Sequence, residues 1–391
     1  MLIGHRVIVI GAGIAGLAVA RALSLRGAQV TVLEQAPEIR EVGAGLQISP
    51  NGARVIRALG LGESLDRIGP PLGAVKLIDG HTGRDLVRLP FGDGRHGPGF
   101  HFVHRADLID LLAAGARTVG AEIRTATKVA RVVPGAPALA ETDAGETLRA
   151  DLVIGADGLH SVVREVLNGR VAPFFARQVA WRATLPAERD IPPEALVYLG
   201  PGRHLVTYPL RGGALRNIVA VEERSRWAEE SWSVTDDPAA LRAAFQSFVP
   251  EVRGWLDRIE RPNLWGLFRH PVAERWHGEG IAILGDAAHP TLPFLAQGAN
   301  MALEDAWVLA ETLASHQTAE EALVAYQTIR RHRTERIVAA ANANARNYHL
   351  TGLQRGAAHL GLRTVGRLFP RALLSRFDWL YGYDATGGQG G

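Results

Sequence analysis

The chain has 391 residues and no cysteine, and only Lys76 and Lys128 of its 43 basic residues are lysines, which leaves 41 arginines. Without thiols it cannot form disulfides, cysteine-ligated iron–sulfur or zinc sites, or a cysteine nucleophile. A lysine Schiff base is disfavoured as well, because neither lysine lies in an apolar run that would lower its pKa. Redox chemistry would therefore have to come from a cofactor.

The composition is that of an ordinary globular protein, with 47% hydrophobic and 21% charged residues and a net charge of +3. The 40 acidic residues are interleaved with the arginines, which argues against a nucleic-acid-binding surface. The longest apolar stretch, Val7 to Ala20, is interrupted by glycines and is shorter than the roughly 20 residues of a membrane span. We therefore expect no nucleic-acid or membrane partner and a cytoplasmic location.

The chain opens with a βαβ pattern. Hydrophobic periodicity predicts a strand over Arg6 to Ile10, a helix over Ile14 to Arg26 and a strand over Gln29 to Leu33. Two later strands, Asp151 to Ile154 and Ile281 to Leu284, run into similar turns. The helices expected after them cover Ser161 to Leu167 and Ala299 to Leu313. Together these segments predict a Rossmann-like α/β domain.

The segment from Gln178 to Glu223 has a different pattern, with short alternating runs separated by Pro and Gly, as in antiparallel sheets. We therefore expect an α/β fold in which a β-rich substrate layer is inserted into the nucleotide-binding domain and helices follow. The predicted boundaries are 1–170 and 269–345 for the nucleotide-binding domain, 171–268 for the β-rich layer, and 346–391 for a C-terminal helical segment and tail. A long helical stretch is predicted over 317–349. The glycine-rich end, Thr386 to Gly391, is expected to be disordered.

A G-x-G-x-x-G motif, Gly11-Ala12-Gly13-Ile14-Ala15-Gly16, joins the first predicted strand to its helix. Such glycines allow a tight turn, close approach of a pyrophosphate and close helix–strand packing, and the helix N-terminus stabilises the phosphate charge. Glu34 ends the second strand, where a carboxylate can accept hydrogen bonds from ribose hydroxyls. The combination indicates a dinucleotide but does not distinguish NAD from FAD.

A second group of residues favours a flavin. Asp286 follows a predicted strand, where a carboxylate can bind a ribityl chain. Gly298, Ala299 and Asn300 open a helix, and their backbone N–H groups would stabilise negative charge on a reduced flavin.

Four motifs, in this order and spacing, resemble those of the single-component FAD-dependent aromatic hydroxylases: GAGIAG with Glu34, HRADL, DLVIGADGLHSVVR and LGDAAHPTLPFLAQGANMALEDA. Within that family the chain is similar to the salicylate, 3-hydroxybenzoate and 6-hydroxynicotinate monooxygenases, and the similarity includes GRHLVTYPLRGG and WLYGYD. The resemblance implies FAD as cofactor, NADH or NADPH as co-substrate, and O₂ and a phenolic aromatic acid as substrates. It also implies hydroxylation through a flavin C4a-hydroperoxide, and a homodimer is expected.

The resemblance further assigns site residues. It implies FAD binding by Gly11, Gly13, Ala15, Gly16, Glu34, Arg105, Val129, Asp157, Asp286, Gly298, Ala299 and Asn300. Arg105 is expected to reach the pyrophosphate or ribityl oxygens, the Val129 backbone to meet adenine, and Asp157 to serve both FAD and the nicotinamide donor. Pro293 would border the flavin ring and the substrate. For Arg105 and Asp157, salt bridging between them or at the surface stays an alternative.

His204 is the candidate catalytic base, and Tyr208 lies on the same face of its predicted strand because side chains alternate. Both are expected to be catalytic and to bind the substrate. An imidazole with an ordinary pKa of about 6.5 is suited to accept a phenolic proton, and the salicylate and 6-hydroxynicotinate relatives carry histidine at this position. A histidine hydrogen-bonded within the sheet is the alternative. Gln47 either faces the substrate or tethers a loop. The 6-hydroxynicotinate enzymes have histidine there, so Gln47 argues against that substrate.

Other functions stay open. His101 with His104, or Asp286 with His289, have spacings seen in iron sites, but flavin roles account for His104 and Asp286, so no metal is expected. A flavoprotein oxidase, a halogenase or a hydroxylase of a non-aromatic ring is the alternative enzyme, although the Trp-x-Trp-x-Ile-Pro segment of halogenases is missing from the sequence. A nucleotide-binding regulatory protein without catalysis is the third possibility.

Overall fold

The computed structural model describes residues 2–39, 45–91, 99–188, 191–224, 234–368 and 370–387. The strands are β1 (Arg6–Ile10), β2 (Gln29–Leu33), β3 (Gly45–Ile48), β4 (Ala74–Asp79), β5 (Asp85–Pro90), β6 (His101–His104), β7 (Glu122–Arg124), β8 (Val129–Val133), β9 (Ala138–Thr142), β10 (Thr147–Ala150), β11 (Leu152–Gly155), β12 (Phe174–Pro186), β13 (Glu194–Gly200), β14 (Arg203–Leu210), β15 (Leu215–Glu223), β16 (Asn263–Arg269), β17 (His277–Gly278) and β18 (Ile281–Ile283). The helices are α1 (Ile14–Ser24), α2 (Pro50–Ala58), α3 (Gly62–Ile68), α4 (Arg105–Thr118), α5 (Val162–Asn168), α6 (Pro238–Ala244), α7 (Pro250–Asp257), α8 (Gly298–Ser315), α9 (Ala319–Asn347), α10 (Gly352–Leu368), α11 (Pro370–Ser375) and α12 (Asp378–Tyr381). Most of the end predicted to be disordered, residues 388–391, lies outside the described residues.

A six-stranded sheet with the order β17-β18-β11-β1-β2-β7 forms the first layer. Its inner strands pair in parallel. Residues 7–10 of β1 are buried because helices cover both faces of such sheets, which explains the continuous apolar run. The predicted bounds of β1 and β2 match the structure, whereas α1 ends two residues earlier than predicted, before Gly27 reverses the chain at φ +96°. The predicted Rossmann-like α/β class is confirmed.

A seven-stranded sheet with the order β16-β12-β15-β14-β13-β4-β5 forms the second layer. It is antiparallel except between β13 and β4, which pair in parallel. Residues 74–90 therefore belong to this sheet although they precede the predicted 171–268 layer. The local sequence pattern does not predict that residues 74–90 join this sheet, because the pairing of β4 with β13 joins segments that are distant in the sequence. The domain boundaries stay a prediction.

The two faces of the seven-stranded sheet differ. One face packs against α6 and α7 in an aromatic core that includes Trp181, Phe245 and Trp255. The other faces the first layer, and Gly45 of β3 joins the two: its N–H donates to Asn217 Oδ1 at 2.8 Å. A Cβ atom at Gly45 would lie 2.6 Å from Tyr208 Cε2, so the contact requires glycine. Among the described residues, none of the helices has both the length and the apolar character of a membrane span.

Candidate functional site

A cavity of about 1270 Å³ lies between the two layers. Single-ligand pockets measure about 300–1,000 Å³, so this cavity has room for more than one ligand. Most of the residues predicted for the site line it: Gly11, Gly13, Ala15, Glu34, Gln47, Arg105, Val129, Asp157, His204, Tyr208, Asp286, Pro293, Gly298 and Ala299. Gly16 and Asn300 do not.

The three motif glycines have different surroundings. Gly11 has φ +99°, and a Cβ atom on it would lie 2.6 Å from the Ala156 carbonyl oxygen. A Cβ atom on Gly16 would lie 1.9 Å from the Gly11 carbonyl oxygen, so Gly16 allows α1 to pack on β1. Gly13 borders open space in the cavity, with nothing within 4 Å of its Cβ position. The free approach to the N-terminus of α1 is therefore at Gly13.

Glu34 holds the motif loop. Its Oε2 accepts a hydrogen bond from the Ala12 N–H at 2.7 Å, and its Oε1 accepts from the Ala36 N–H at 2.9 Å. A carboxylate has about four acceptor positions, so two remain for ligand hydroxyls. Val129 lines the same end of the cavity, beside Thr127.

Asp157 lies just beyond the carboxyl end of β11, where ligands bind in open parallel sheets. Its Oδ2 accepts from the Val162 N–H at 2.8 Å. Its Oδ1 is buried and has no hydrogen-bond partner among the described residues. Burial raises the pKa of the Asp157 carboxyl.

Asp286 lies at the equivalent end of β18, in a 3-10 helix (Gly285–Ala287), and its side chain is exposed to the cavity. Although the carboxyl group faces the cavity, it lies deep in the protein, and this burial raises its pKa. The charges of His289 and Arg105 oppose that shift. Arg105, the first residue of α4, therefore lies within electrostatic reach of this carboxyl.

A buried charge network lies behind Asp286. His289 Nε2 lies 2.5 Å from Asp305 Oδ2, and the Arg330 Nε donates to Asp305 Oδ1 at 2.7 Å. The Gly285 N–H also donates to Asp305 Oδ2, at 3.0 Å. Asp286 lies in a loop, and the hydrogen bonds of Asp305 connect this loop to α8 and α9.

The histidines considered for a metal site have other partners. His289 contacts Asp305, and His101 Nδ1 lies 2.8 Å from the Gly69 carbonyl oxygen. Within the described ranges, no group of three His, Asp or Glu side chains is arranged to hold a metal ion.

The N-terminus of α8 faces the cavity through Gly298 and Ala299. The Asn300 side chain turns away: its Oδ1 accepts from the Ser49 N–H at 3.0 Å, and its Nδ2 donates to the Gln47 carbonyl at 3.1 Å. Asn300 can therefore offer a ligand only its backbone. The Gln47 carbonyl is part of this tether, and the residue also lines the cavity. That Gln47 faces the substrate stays a prediction.

His204 and Tyr208 both line the cavity on β14, as the alternation predicts. His204 is 3% exposed, and its ring centroid lies 4.9 Å from that of Tyr348 and 5.9 Å from that of Phe294. Burial and the neighbouring His349 lower the pKa of His204 well below its usual value. Burial raises the pKa of Tyr208. At neutral pH His204 is therefore a neutral acceptor and Tyr208 a protonated donor.

Arg182 lines the same part of the cavity as His204 and Tyr208, which we call the chamber. The sequence did not predict this residue. Its guanidinium carbon lies 4.9 Å from the Trp265 ring centroid, and burial lowers its pKa to about 10, so it is still charged at neutral pH. Arg182 pairs with Val219, which pairs with Val206 of β14. Its backbone is thus about 10 Å from β14. The alternation of side chains along β12 predicts which residues share a face with Arg182. It does not predict which of the two faces lines a cavity.

The comparisons with known proteins agree with this geometry. The family model of the FAD binding domain matches residues 5–341. A 3-amino-4-hydroxybenzoate 2-monooxygenase from Streptomyces cremeus is 38% identical over 354 residues, which are 88% of each chain. The chain belongs to the family of FAD-dependent monooxygenases. A 3-hydroxybenzoate 6-hydroxylase from Polaromonas naphthalenivorans is 36% identical over 391 residues, covering 97% of this chain and 96% of the relative.

The structure of a salicylate hydroxylase substrate complex resembles this monooxygenase with a TM-score of 0.82 and 25% identity, covering 97% of this chain and 96% of the other. The family predicted from the motifs and FAD as its cofactor are therefore confirmed. The site fits FAD on its own evidence, since Gly13 leaves open space at a helix N-terminus and the carboxyl group of Asp286 is exposed to the cavity.

Proposed function

We propose that this flavoprotein hydroxylates a phenolic aromatic acid and consumes NADH or NADPH and O₂. One observation carries the proposal. In the chamber, one face of the seven-stranded sheet presents the neutral imidazole of His204 and the charged guanidinium group of Arg182. An aromatic ring with a hydroxyl and a carboxyl group has the complementary chemistry. The names of the relatives support this substrate class.

In this proposal each group has one task. Arg182 binds the substrate carboxylate through charge-assisted hydrogen bonds. His204 accepts the phenolic proton at Nε2, which makes the ring a better target for an electrophilic oxygen. Tyr208 donates a hydrogen bond to a substrate oxygen. Aliphatic and aromatic side chains of the sheet exclude water from the chamber.

The cofactor would be held by residues of the first layer. The N-terminus of α1 at Gly13 would bind the pyrophosphate, Glu34 the ribose, and Asp286 the ribityl chain. The N-terminus of α8 would stabilise negative charge on the ring. When bound, FAD supplies the redox chemistry, taking electrons from the nicotinamide and activating O₂.

A panel of hydroxybenzoates, 3-amino-4-hydroxybenzoate and 6-hydroxynicotinate tests the proposal, with NADH and NADPH oxidation, peroxide release and hydroxylated product measured on the FAD-loaded protein. We expect one or more phenolic acids to accelerate NADH or NADPH oxidation with little peroxide and stoichiometric product. Gln47 predicts that 6-hydroxynicotinate is not the preferred substrate. Peroxide release without product for every compound would contradict the proposal and favour an oxidase. The homodimer and the cytoplasmic location stay predictions.

A further inference from the structure

Three side chains form a hydrogen-bonded row from the cavity to the protein surface. His204 Nδ1 lies 2.8 Å from His349 Nε2, and His349 Nδ1 lies 2.9 Å from Glu223 Oε1. The first two are buried, whereas the Glu223 side chain is 53% exposed. Glu223 does not line the cavity. The row therefore leads from the substrate chamber to bulk solvent.

Sheet register sets this row. His204 of β14 pairs with Val221 of β15, so Glu223, two residues on, projects from the same face. Gln178 of β12 pairs with Glu223 and shares that face. His349 follows α9 and covers all three positions, and its carbonyl accepts a hydrogen bond from the Gly202 N–H.

The row allows one set of proton positions. The Glu223 carboxylate is an acceptor only, so His349 Nδ1 must carry the hydrogen. His349 Nε2 then has a lone pair, and His204 must donate to it from Nδ1. This leaves the lone pair of His204 on Nε2, the nitrogen available to a ligand in the cavity.

Gln178 fits this order only with its amide reversed. Its Nε2 lies 3.3 Å from His349 Nδ1, which would oppose two donors, and its Oε1 has no hydrogen-bond partner within the described part of the chain. With the amide turned so that Oε1 points to the imidazole, Gln178 accepts from the same N–H as Glu223.

We infer that His349 and Glu223 are positioning residues that fix the base tautomer of His204 and conduct the substrate's proton to solvent. This inference rests on the proposed function. The phenolic O–H bond breaks as the proton binds His204 Nε2. The Nδ1 proton of His204 moves to His349 Nε2, the Nδ1 proton of His349 moves to the Glu223 carboxylate, and water removes it from there. Each group gains and loses one proton, so both imidazoles end neutral in their Nε2–H forms and only the phenolate carries the new negative charge. Passage of one proton in the reverse direction, from solvent to the phenolate of the bound product, restores the Nδ1–H forms.

Burial keeps both imidazoles neutral by lowering their pKa values. Burial is the main cause that lowers the pKa of His349, the Glu223 carboxylate opposes this shift, and the charge of Arg203 adds to it. The groups that face the pair are Gln178, Arg203 and Glu223 from the sheet and Tyr348, whose pKa burial raises. Both imidazoles are neutral at neutral pH, so His204 can accept the substrate's proton without first losing one of its own.

Nitrogen-15 NMR of the FAD-loaded, histidine-labelled protein tests the tautomers without turnover. The two signals are assigned from their loss in His204→Gln and His349→Gln. We expect both histidines as neutral Nδ1–H tautomers at pH 7. We expect Glu223→Leu to return His349 to the Nε2–H form that a free imidazole favours, and Glu194→Gln, which alters an ion-paired carboxylate elsewhere on the same sheet, to change neither. An Nε2–H signal for His204 in the wild type would overturn the inference.

Steady-state kinetics of hydroxylation of 3-hydroxybenzoate, or of whichever phenolic acid the panel selects, provides the second readout. General-base help is worth up to about 10²–10⁴-fold, so we expect kcat to fall at least about tenfold in Glu223→Leu and His349→Gln, with KM nearly unchanged and with Glu223→Asp partly rescued. A wild-type protein that hydroxylates no phenolic acid would overturn the proposed function. An active wild type with unchanged kcat in both variants would overturn the relay alone.

Discussion

His289 Nε2 lies 2.5 Å from Asp305 Oδ2, and both side chains are completely buried. Arg330, also completely buried, is the cation of this network. Arg330 also pairs with Glu304 at 2.6 Å, and Glu304 in turn pairs with Arg333. Asp305→Asn therefore leaves two buried guanidinium groups to share the single carboxylate of Glu304, and such a buried charge imbalance typically costs about 3–5 kcal/mol of unfolding free energy. Denaturant unfolding of the wild type and variant measures the difference. Glu335→Gln is the control, because its ion pair with Arg331 is about half exposed and such pairs contribute roughly 0–1 kcal/mol.

The same carboxyl predicts a pH dependence. Its imidazole and guanidinium neighbours lower the pKa of Asp305 from 3.8 to about 2, against the opposing effect of burial. A depressed pKa in the folded state means that the stabilisation is fully present above about pH 4 and is lost as the pH falls towards 2. The stability gap between wild type and Asp305→Asn should therefore be constant from pH 7 to 5 and shrink below pH 4. A gap that does not change with pH contradicts this assignment.

The motif glycines should separate cofactor binding from folding. Gly13→Ala places a methyl group in open space, so the apoprotein should keep its stability within about 1 kcal/mol. FAD should bind at least about tenfold more weakly, equal to about 1.4 kcal/mol, because the methyl group obstructs its approach. Gly16→Ala overpacks the contact with Gly11 and should destabilise the apoprotein by about 1–3 kcal/mol. Fluorescence titration with FAD and thermal unfolding measure the two effects, and an unaltered FAD affinity in Gly13→Ala contradicts the prediction.

Arg182 should determine recognition of the substrate carboxylate. A hydrogen bond to a charged group contributes about 1.5–3 kcal/mol, so Arg182→Gln should raise KM for 3-hydroxybenzoate about 10–100-fold. Arg182→Lys should lose less. Binding of phenol, which lacks the carboxylate, serves as the control and should hardly change. Equal weakening for phenol and 3-hydroxybenzoate would assign Arg182 to structure instead.

His204 should affect hydroxylation much more than flavin binding. His204→Ala should lower kcat by about 10²–10⁴-fold, the usual effect of losing a general base. Because the pKa of His204 is lowered, its neutral form persists below pH 6.5, so the acidic decline of wild-type kcat should lie below that pH. An unchanged coupled rate in His204→Ala at saturating substrate refutes the assignment, and FAD content by absorbance is the control.

The parts of the site that were predictable lie on local sequence patterns. β1 and β2 have their predicted bounds because buried parallel strands read as continuous apolar runs, and Glu34 follows directly from the end of β2. His204 and Tyr208 share a face because side chains alternate. Arg182 and His349 were missed, because the position of Arg182 in the cavity depends on pairing between distant strands and the contact of His349 with His204 depends on the loop after α9. His204 and His349 are 145 positions apart in the sequence, and no local pattern links them.

The position of β1 has a consequence for synthesis of the chain. β1 begins at residue 6, yet its neighbour β11 begins at residue 152 and the next strand, β18, at residue 281. A nascent chain therefore carries its first strand for most of translation before the parallel sheet can be completed. Such long-range pairing slows folding, because loop closure precedes the stabilising contacts. The early βαβ unit should consequently expose one edge of β1 until β11 has been synthesised, because β2 is its only early partner among the described strands.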